Sequence, residues 1–361
     1  MKFRCERDVL ADALATAARA TSRTGSLQVL SGLRLEVAGG ELSVTGTDLE
    51  LSIRLTVVVG GDRDGAVVVP RLVADIVRSL PAGSVEVVAE GEEVTISAGR
   101  SQFSLRSWNV DDYPAQAEPA VEPVTLRSAS VAEALRQVVR AASPDDTRPL
   151  LSGVLIIAED DGVRMVATDS YRLAVRELAE THVLAAGQKV VVPSRALNEL
   201  QRVLGGSEEL QVRLGARDAV FECGGVRLTT RLIEGDYPNY RSLLPTSAEN
   251  ALTVDREALL SALRRVKIMA TDSHLVRLRL GGDTVELSAT QDVGNASEEI
   301  DVGYDGEEMT VAFNPDYLSA GVDAVDAEEI TISRLHPLKP AVIRGMGRDD
   351  YLYLLMPVRV P

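Results

Sequence analysis

Residues 67–70 read Val67-Val68-Val69-Pro70, and residues 190–193 read Val190-Val191-Val192-Pro193. The match is one of a series. Leu30-Ser31-Gly32 recurs as Leu151-Ser152-Gly153, Thr47-Asp48 as Thr168-Asp169, and Asp112-Tyr113-Pro114 as Asp236-Tyr237-Pro238, in the same order and each displaced by about 120 residues. A fainter third copy follows: Val311-Ala312-Phe313-Asn314-Pro315 answers the Val-Val-Val-Pro run, and Leu287-Ser288-Ala289-Thr290 puts Thr290 in the place of Thr168. A period near a third of the chain is far above the roughly 20–50 residues of a solenoid unit, so each repeat reads as a whole domain. Proline-rich or interrupted stretches near 120 and 248 divide the chain into domains 1–120, 121–248 and 249–361.

Each repeat opens on an amphipathic helix. Val9, Leu10, Ala13, Leu14 and Ala17 fall at helical spacing behind Asp8, which reads as the cap. Ser130 with Glu133 reads as a capping box around Val131 and ahead of Leu135, Val138 and Val139; Asp255 precedes Leu259, Leu260, Leu263 and Val266. Alternating strands come next: Leu33, Leu35 and Val37, then Leu42 and Val44, then Leu49, Leu51, Ile53 and Leu55, with Gly39-Gly40 and Asp160-Asp161-Gly162 as turns. A second helix is expected over 70–80, 193–204 and 314–325, and strands such as Val85-Glu86-Val87-Val88 close the domain. An antiparallel sheet must bury one face, and two helices laid against it do so. The class is α+β, three times over.

Composition narrows the function classes. A chain of 361 residues, 45% hydrophobic and 25% charged, suits two or three globular domains. No apolar run reaches the ~18 residues of a membrane helix. Arg4, Glu6, Arg7 and Asp8 stand where a secretion signal needs an apolar stretch. A cytoplasmic location and no membrane partner are expected. Cys5 and Cys223 have no metal- or redox-type spacing, so two ordinary thiols, no metal and no cofactor are expected. The net charge of −16 opposes any grip on nucleic acid by bulk attraction.

Three further stretches carry a family resemblance: Ala167-Thr168-Asp169-Ser170-Tyr171-Arg172-Leu173-Ala174, then Glu234-Gly235-Asp236-Tyr237-Pro238-Asn239-Tyr240 with Leu243-Leu244-Pro245, then Tyr353-Leu354-Leu355-Met356-Pro357-Val358-Arg359-Val360 at the C-terminus. In this order, within a threefold repeat, the chain resembles the bacterial DNA polymerase III beta subunit (beta sliding clamp) family along essentially its whole length. The resemblance implies the DNA clamp fold, three tandem similar domains, each two helices packed on antiparallel sheet. It implies two chains joined head to tail as a dimeric ring, with helices lining the hole. Such a ring encircles double-stranded DNA without regard to sequence and confers processivity. Its implied partners are the polymerase III catalytic subunit, the clamp loader and other replication and repair proteins bearing short clamp-binding peptides. No catalytic residue is expected.

The ring reading answers the charge objection locally. Arg136 and Arg140 lie four apart on one helix face, and Arg264, Arg265 and Lys267 cluster on another first helix. Arg23 and Arg148 come from loops, and Arg71, Arg78, Arg195 and Arg202 from second helices. Screening over roughly 8 Å lets such a lining act despite an acidic exterior. The stretch 314–325, by contrast, carries Asp316 and Asp323 with Asp326 just beyond, and no Lys or Arg.

The resemblance also places a peptide pocket. Its residues here would be Leu151, Thr168, Ser170, Tyr171, Arg172 and Leu173; Pro238, Ser242 and Leu243; and Leu354, Met356, Pro357, Val358, Arg359 and Val360. Apolar walls, an adaptable Met and exposed backbone suit an extended apolar peptide. The dimer contact is expected to set Ile76 and Leu80 against Ile268 and Met269.

Other readings have their own markers. Positions 170, 171 and 242 vary in the family, Tyr171 would narrow the pocket, and Pro361 lengthens the tail by one. A specialised second clamp with an altered pocket, as a decoy or an inhibitor-tolerant form, follows from these. The pairs Asp111-Asp112, Asp145-Asp146 and Asp349-Asp350 suggest a metal-dependent nuclease, although they read more simply as turns. No P-loop, GxSxG or HExxH motif is present, and His182, His274 and His336 stand alone.

Overall fold

The computed structural model describes residues 1–22, 27–115, 120–244, 250–270 and 275–359. Six α-helices lie among them, two per repeat: α1 (Arg7–Ala18) and α2 (Leu72–Ser79), α3 (Ser128–Val138) and α4 (Ser194–Leu204), α5 (Arg256–Val266) and α6 (Pro315–Ala324). The second helices fall within the expected stretches. The N-termini differ in detail. Glu6, not Asp8, precedes α1, and it makes no side-chain cap. The third helix begins at Ser128, so Ser130 lies inside its first turn, and Glu133 pairs with Arg348 and Arg176. Asp255 does cap α5, accepting from the Ala258 N–H at 2.7 Å.

The chain divides into two compact units, Met1–Ala129 with Glu199–Leu232, and Ser130–Asn198 with Ile233–Pro361. The first holds a five-stranded sheet and an eight-stranded sheet. The eight-stranded sheet is continuous across two repeats: Leu51–Val58 of the first pairs antiparallel with Val226–Arg231 of the second. Leu33, Leu35, Val37, Leu42 and Val44 bury one face of it beneath Leu10, Leu14 and Ala17 of α1 and Val73 and Val77 of α2. Leu49, expected on a strand, lies in a turn and is exposed.

The second unit repeats the plan. A nine-stranded sheet runs from the second repeat into the third, where Arg172–Ala179 pairs antiparallel with Tyr351–Leu355. A four-stranded sheet completes the third repeat. Among the described residues the fourth strand of the third repeat, Gly294–Asp301, and the last strand of the first, Ser101–Arg106, have no such partner and are outer strands of their sheets.

The Leu-Ser-Gly repeat has a packing reason. Ser31 Oγ donates to the Gln28 carbonyl and Ser152 Oγ to the Pro149 carbonyl, closing the turn before the first strand. The glycine then leaves room for a side chain. A Cβ on Gly153 would meet Val191 Cγ1 at 2.5 Å and Ile233 Cδ1 at 2.8 Å; one on Gly32 would meet the Trp108 ring at 2.5 Å. Trp108 and Ile233 are therefore the same wedge in successive repeats. Each donates its N–H to the Val-Val-Val-Pro strand, at Val68 and Val191 respectively.

Candidate functional site

The Thr-Asp repeats build one turn twice. Thr168 Oγ1 donates to the Arg172 carbonyl at 2.6 Å and accepts from the Ser170 N–H at 3.2 Å. The Asp169 carboxylate accepts from the Tyr171 and Arg172 N–H groups at 2.9 and 3.0 Å. Thr47 and Asp48 make the same bonds with Leu49, Glu50 and Leu51. The third residue of each turn adopts positive φ, +84° at Ser170 and +80° at Leu49.

In the second repeat this turn stands beside the C-terminal tail. The Tyr171 carbonyl accepts from the Met356 N–H at 2.9 Å, and the Val358 N–H donates to the Ala312 carbonyl at 2.8 Å. Below the turn is an apolar floor. Leu155, Val166, Val175 and Leu352 stand side by side in one row across four adjacent strands, and Leu173 faces Leu354 in a neighbouring row. These side chains are buried in one cluster with Val191, Tyr240 and Val342, flanked by Leu150, Ile233, Tyr237 and Leu244. Large apolar groups remain exposed on the rim: Tyr171 at 60%, Leu243 at 50%, Met356 and Val358 at 38%. Apolar groups left exposed together mark an interaction site.

Arg172 supplies the polar element. Its guanidinium lies 4.2 Å from the centroid of the Tyr317 ring, and Nε donates to Asp169 at 3.0 Å. Burial opposes its charge, but Tyr353 and Asp169 more than offset that and its pKa is raised. Burial pushes the Tyr353 phenol up to about 12. Arg172 thus stays charged, with its stem half-buried beside the floor.

The expected pocket residues divide by position. Thr168, Leu173 and Leu354 are buried, Leu151, Arg172 and Pro357 are half-buried, and Ser170, Tyr171, Pro238, Ser242, Leu243, Met356, Val358 and Arg359 are exposed. Val360 lies outside the described residues. Tyr317 and Val342 were not foreseen, since nothing in the repeat marks them. Tyr237 and Tyr240 also pack there, and the Asp-Tyr-Pro-Asn-Tyr run is the sequence signal for both.

The expected DNA-facing cations divide as well. Arg136 donates to the Asp323 carbonyl, and Arg140 to the Ala320 carbonyl and the Asp323 carboxylate. Gln137 adds a bond to the Ala324 carbonyl. Arg136 and Gln137 thus satisfy carbonyls of the last turn of α6, which have no partners within the helix. Arg148, half-buried, is also engaged within the chain, donating to Ser143 and the Asp169 carbonyl. Arg202 pairs with Glu199, Arg265 with Glu298 and Lys267 with Asp316. Arg78, Arg195 and Arg264 are exposed and Arg71 half-buried; Arg23 lies outside the described residues.

The residues expected at the dimer contact differ in exposure. Ile76 and Leu80 are 8% and 4% exposed, packed into the core of the first repeat, so they have almost no area left for a second chain. Ile268 is 72% exposed and Met269 half-buried. The acidic pairs are turn and ion-pair residues: Asp145 accepts from Thr147 and pairs with Arg148, and Asp350 pairs with Arg176 and Arg348. Among the described residues no group of three His, Cys, Asp or Glu is placed to hold a metal.

Comparison with known proteins agrees along the whole chain. Family models match in succession: DNA polymerase III beta subunit, N-terminal domain over residues 1–117, central domain over 125–239 and C-terminal domain over 241–359. The chain is 36% identical to the beta sliding clamp of Streptomyces coelicolor over the full length of both, and 39% identical to that of Micrococcus luteus over 83% of this chain and 98% of the relative. Among solved structures it resembles the Pseudomonas aeruginosa sliding clamp bound to griselimycin (TM-score 0.92, 28% identity, all of both chains). It also resembles the C. crescentus beta sliding clamp with PEG bound to its putative beta-motif tethering region (TM-score 0.93, 27% identity, all of this chain and 99% of that one). Three matched domains in order, full-length identity and a shared three-repeat α+β fold mean that this chain belongs to the DNA polymerase III beta subunit family, the beta sliding clamps.

Proposed function

We propose that the protein is a cytoplasmic homodimeric clamp that encircles duplex DNA and tethers polymerase and other partners by short peptides bound at the Tyr171–Met356 groove. As a clamp it is a processivity factor and performs no chemistry of its own. The observation that carries the peptide site is the buried apolar floor with an exposed apolar rim, bounded by a positive-φ turn and a tail tied at Met356 and Val358. Two anchors of a partner peptide would sit on the floor, with Arg172 at its edge.

Ring closure follows from the internal seams. In each, the fourth strand of one repeat pairs with the last strand of the next. Applied once more, this rule joins Gly294–Asp301 of one chain to Ser101–Arg106 of a second copy. Carrying the register over places Gly294 opposite Leu105, Ala296 opposite Phe103 and Glu298 opposite Ser101 of that copy. The first strand is acidic, with Glu298, Glu299 and Asp301, and the second has Arg100 and Arg106 at its ends. Phe103, exposed where Ile76 and Leu80 are not, joins Ile268 and Met269 as the apolar contribution. For DNA, the exposed Arg78, Arg195 and Arg264 suit sequence-blind phosphate contact.

The direct test is primer extension on circular DNA with the cognate polymerase and loader. The wild-type chain should lengthen products per binding event. Met356→Glu should remove that effect while leaving dimer mass unchanged. Full stimulation by Met356→Glu would move the peptide site elsewhere.

A further inference from the structure

The seam inside the first unit repeats the groove rung for rung. Arg34, Thr45, Arg54 and Arg227 occupy the rungs that Leu155, Val166, Val175 and Leu352 occupy in the second unit. Ser52 faces Thr229 where Leu173 faces Leu354. All six apolar floor positions are thus polar or charged in the first seam. The rim changes in the same way. The Glu50 carbonyl accepts from the Arg231 N–H at 3.0 Å, as the Tyr171 carbonyl does from Met356, and the two side chains form an ion pair at 3.9 Å. The wedge changes as well: the Trp108 indole fills the place held by Ile233. Beneath it Tyr113 donates to the Thr45 carbonyl at 3.0 Å, which closes the cluster of Val29, Leu30 and Val68. The third repeat follows the polar pattern: Arg277, Ser288 and Ser297 take the corresponding row, and Asn295 stands where Leu173 stands.

We infer that the first seam is a closed copy of the peptide site, and that the six floor positions, with the Glu50–Arg231 rim and the Trp108 wedge, decide which seam takes an apolar peptide. This rests on the reading of the Tyr171–Met356 groove as the peptide site. The physical reason is desolvation. An apolar anchor laid on Arg54 and Arg227 would strip water from two guanidiniums and return no hydrogen bond. On Val175 and Leu352 it strips water only from carbon. The strand ladder, the Thr-Asp turn and the rim hydrogen bond are common to both seams, so on this shared frame the side chains set the difference. Each chain consequently offers one site for an apolar peptide, although its fold supplies the frame more than once.

The experiment is a calorimetric titration with an acetylated pentapeptide carrying leucine and phenylalanine anchors. The wild-type dimer should bind one peptide per chain, and Met356→Glu should bind none. A chain carrying the second seam's residues in the first (Arg34→Leu, Thr45→Val, Ser52→Leu, Arg54→Val, Arg227→Leu, Thr229→Leu, Glu50→Tyr, Arg231→Met and Trp108→Ile) should bind two, and one when Met356→Glu is added. A stoichiometry that stays at one in a cooperatively melting variant overturns the inference, as does a wild-type value of two. Wild-type binding that survives Met356→Glu counts instead against the groove reading. Should the ninefold variant not fold, Arg54→Val with Arg227→Leu carries the test, because Arg54 is exposed and Arg227 half-buried. That pair should add a second, weaker phase of peptide binding, and no second phase overturns the inference.

Discussion

At the residue scale, the most legible positions were those where backbone geometry leaves little choice. Leu-Ser-Gly recurs because a wedge side chain must lie against the glycine, and Thr-Asp recurs because a hydroxyl and a carboxylate hold a reversal. Both motifs were visible in the sequence, but their reasons needed coordinates. Gly153→Val would place carbon where Val191 Cγ1 and Ile233 Cδ1 already stand. Overpacking of this kind costs about 1–3 kcal/mol, so urea unfolding should show a lower midpoint with an unchanged slope. Ser170 offers the opposite case. A left-handed non-glycine residue costs about 1–2 kcal/mol, so Ser170→Gly should raise the melting temperature or leave it unchanged, and Ser170→Val should lower it. A higher melting temperature for Ser170→Val would mean that the turn is not held at positive φ in solution.

At the element scale, the helices were legible from their period, but their roles were not. The acidic α6 looked out of place in a DNA-facing lining. Its C-terminal end instead receives Arg136 and Gln137 from α3 and Arg140 from the 3-10 turn that follows it, and Arg256 also reaches Asp323. Sequence spacing put Arg136 and Arg140 on one face correctly, but it could not reveal that another helix end lay opposite that face. Burial alone would raise the Asp323 carboxyl. The hydrogen bond from Arg140 and the fields of Arg140, Arg256 and Arg136 exceed it and hold the group below its ordinary value. Asp350 is depressed likewise, burial being outweighed by Arg348 and Arg176. A carboxylate whose folded pKa lies below its unfolded value stabilises the fold above the unfolded pKa, about 3.9 for Asp. That stability is lost as the pH falls through the folded value. Thermal melts from pH 6 down to pH 3 should therefore show falling stability, and Asp323→Asn should start lower and fall less steeply. A parallel curve for Asp323→Asn would remove Asp323 from the linkage.

At the scale of the whole molecule, the threefold repeat was plain in the sequence, and with it the α+β class. The ring contact was not, because Ile76 and Leu80 carry the same apolar signature whether they face their own core or a second chain. Only burial separates the two cases. What remains exposed is strand edge, and the two internal seams show how such edges join in this fold. The register they dictate makes a sharp prediction. Ser104→Cys and Asn295→Cys, introduced together, stand on opposite strands at the same rung when Gly294 faces Leu105 of the second copy. A short bifunctional thiol reagent should join them into a covalent two-chain ring that stays on circular DNA through a high-salt wash and is released when the DNA is cut. Cys5 and Cys223 are both buried, so the background should be low. Ser104→Cys with Ile300→Cys, several rungs apart, should not cross-link. If the second pair couples as well as the first, the chains meet in another register and the seam rule does not extend across the dimer.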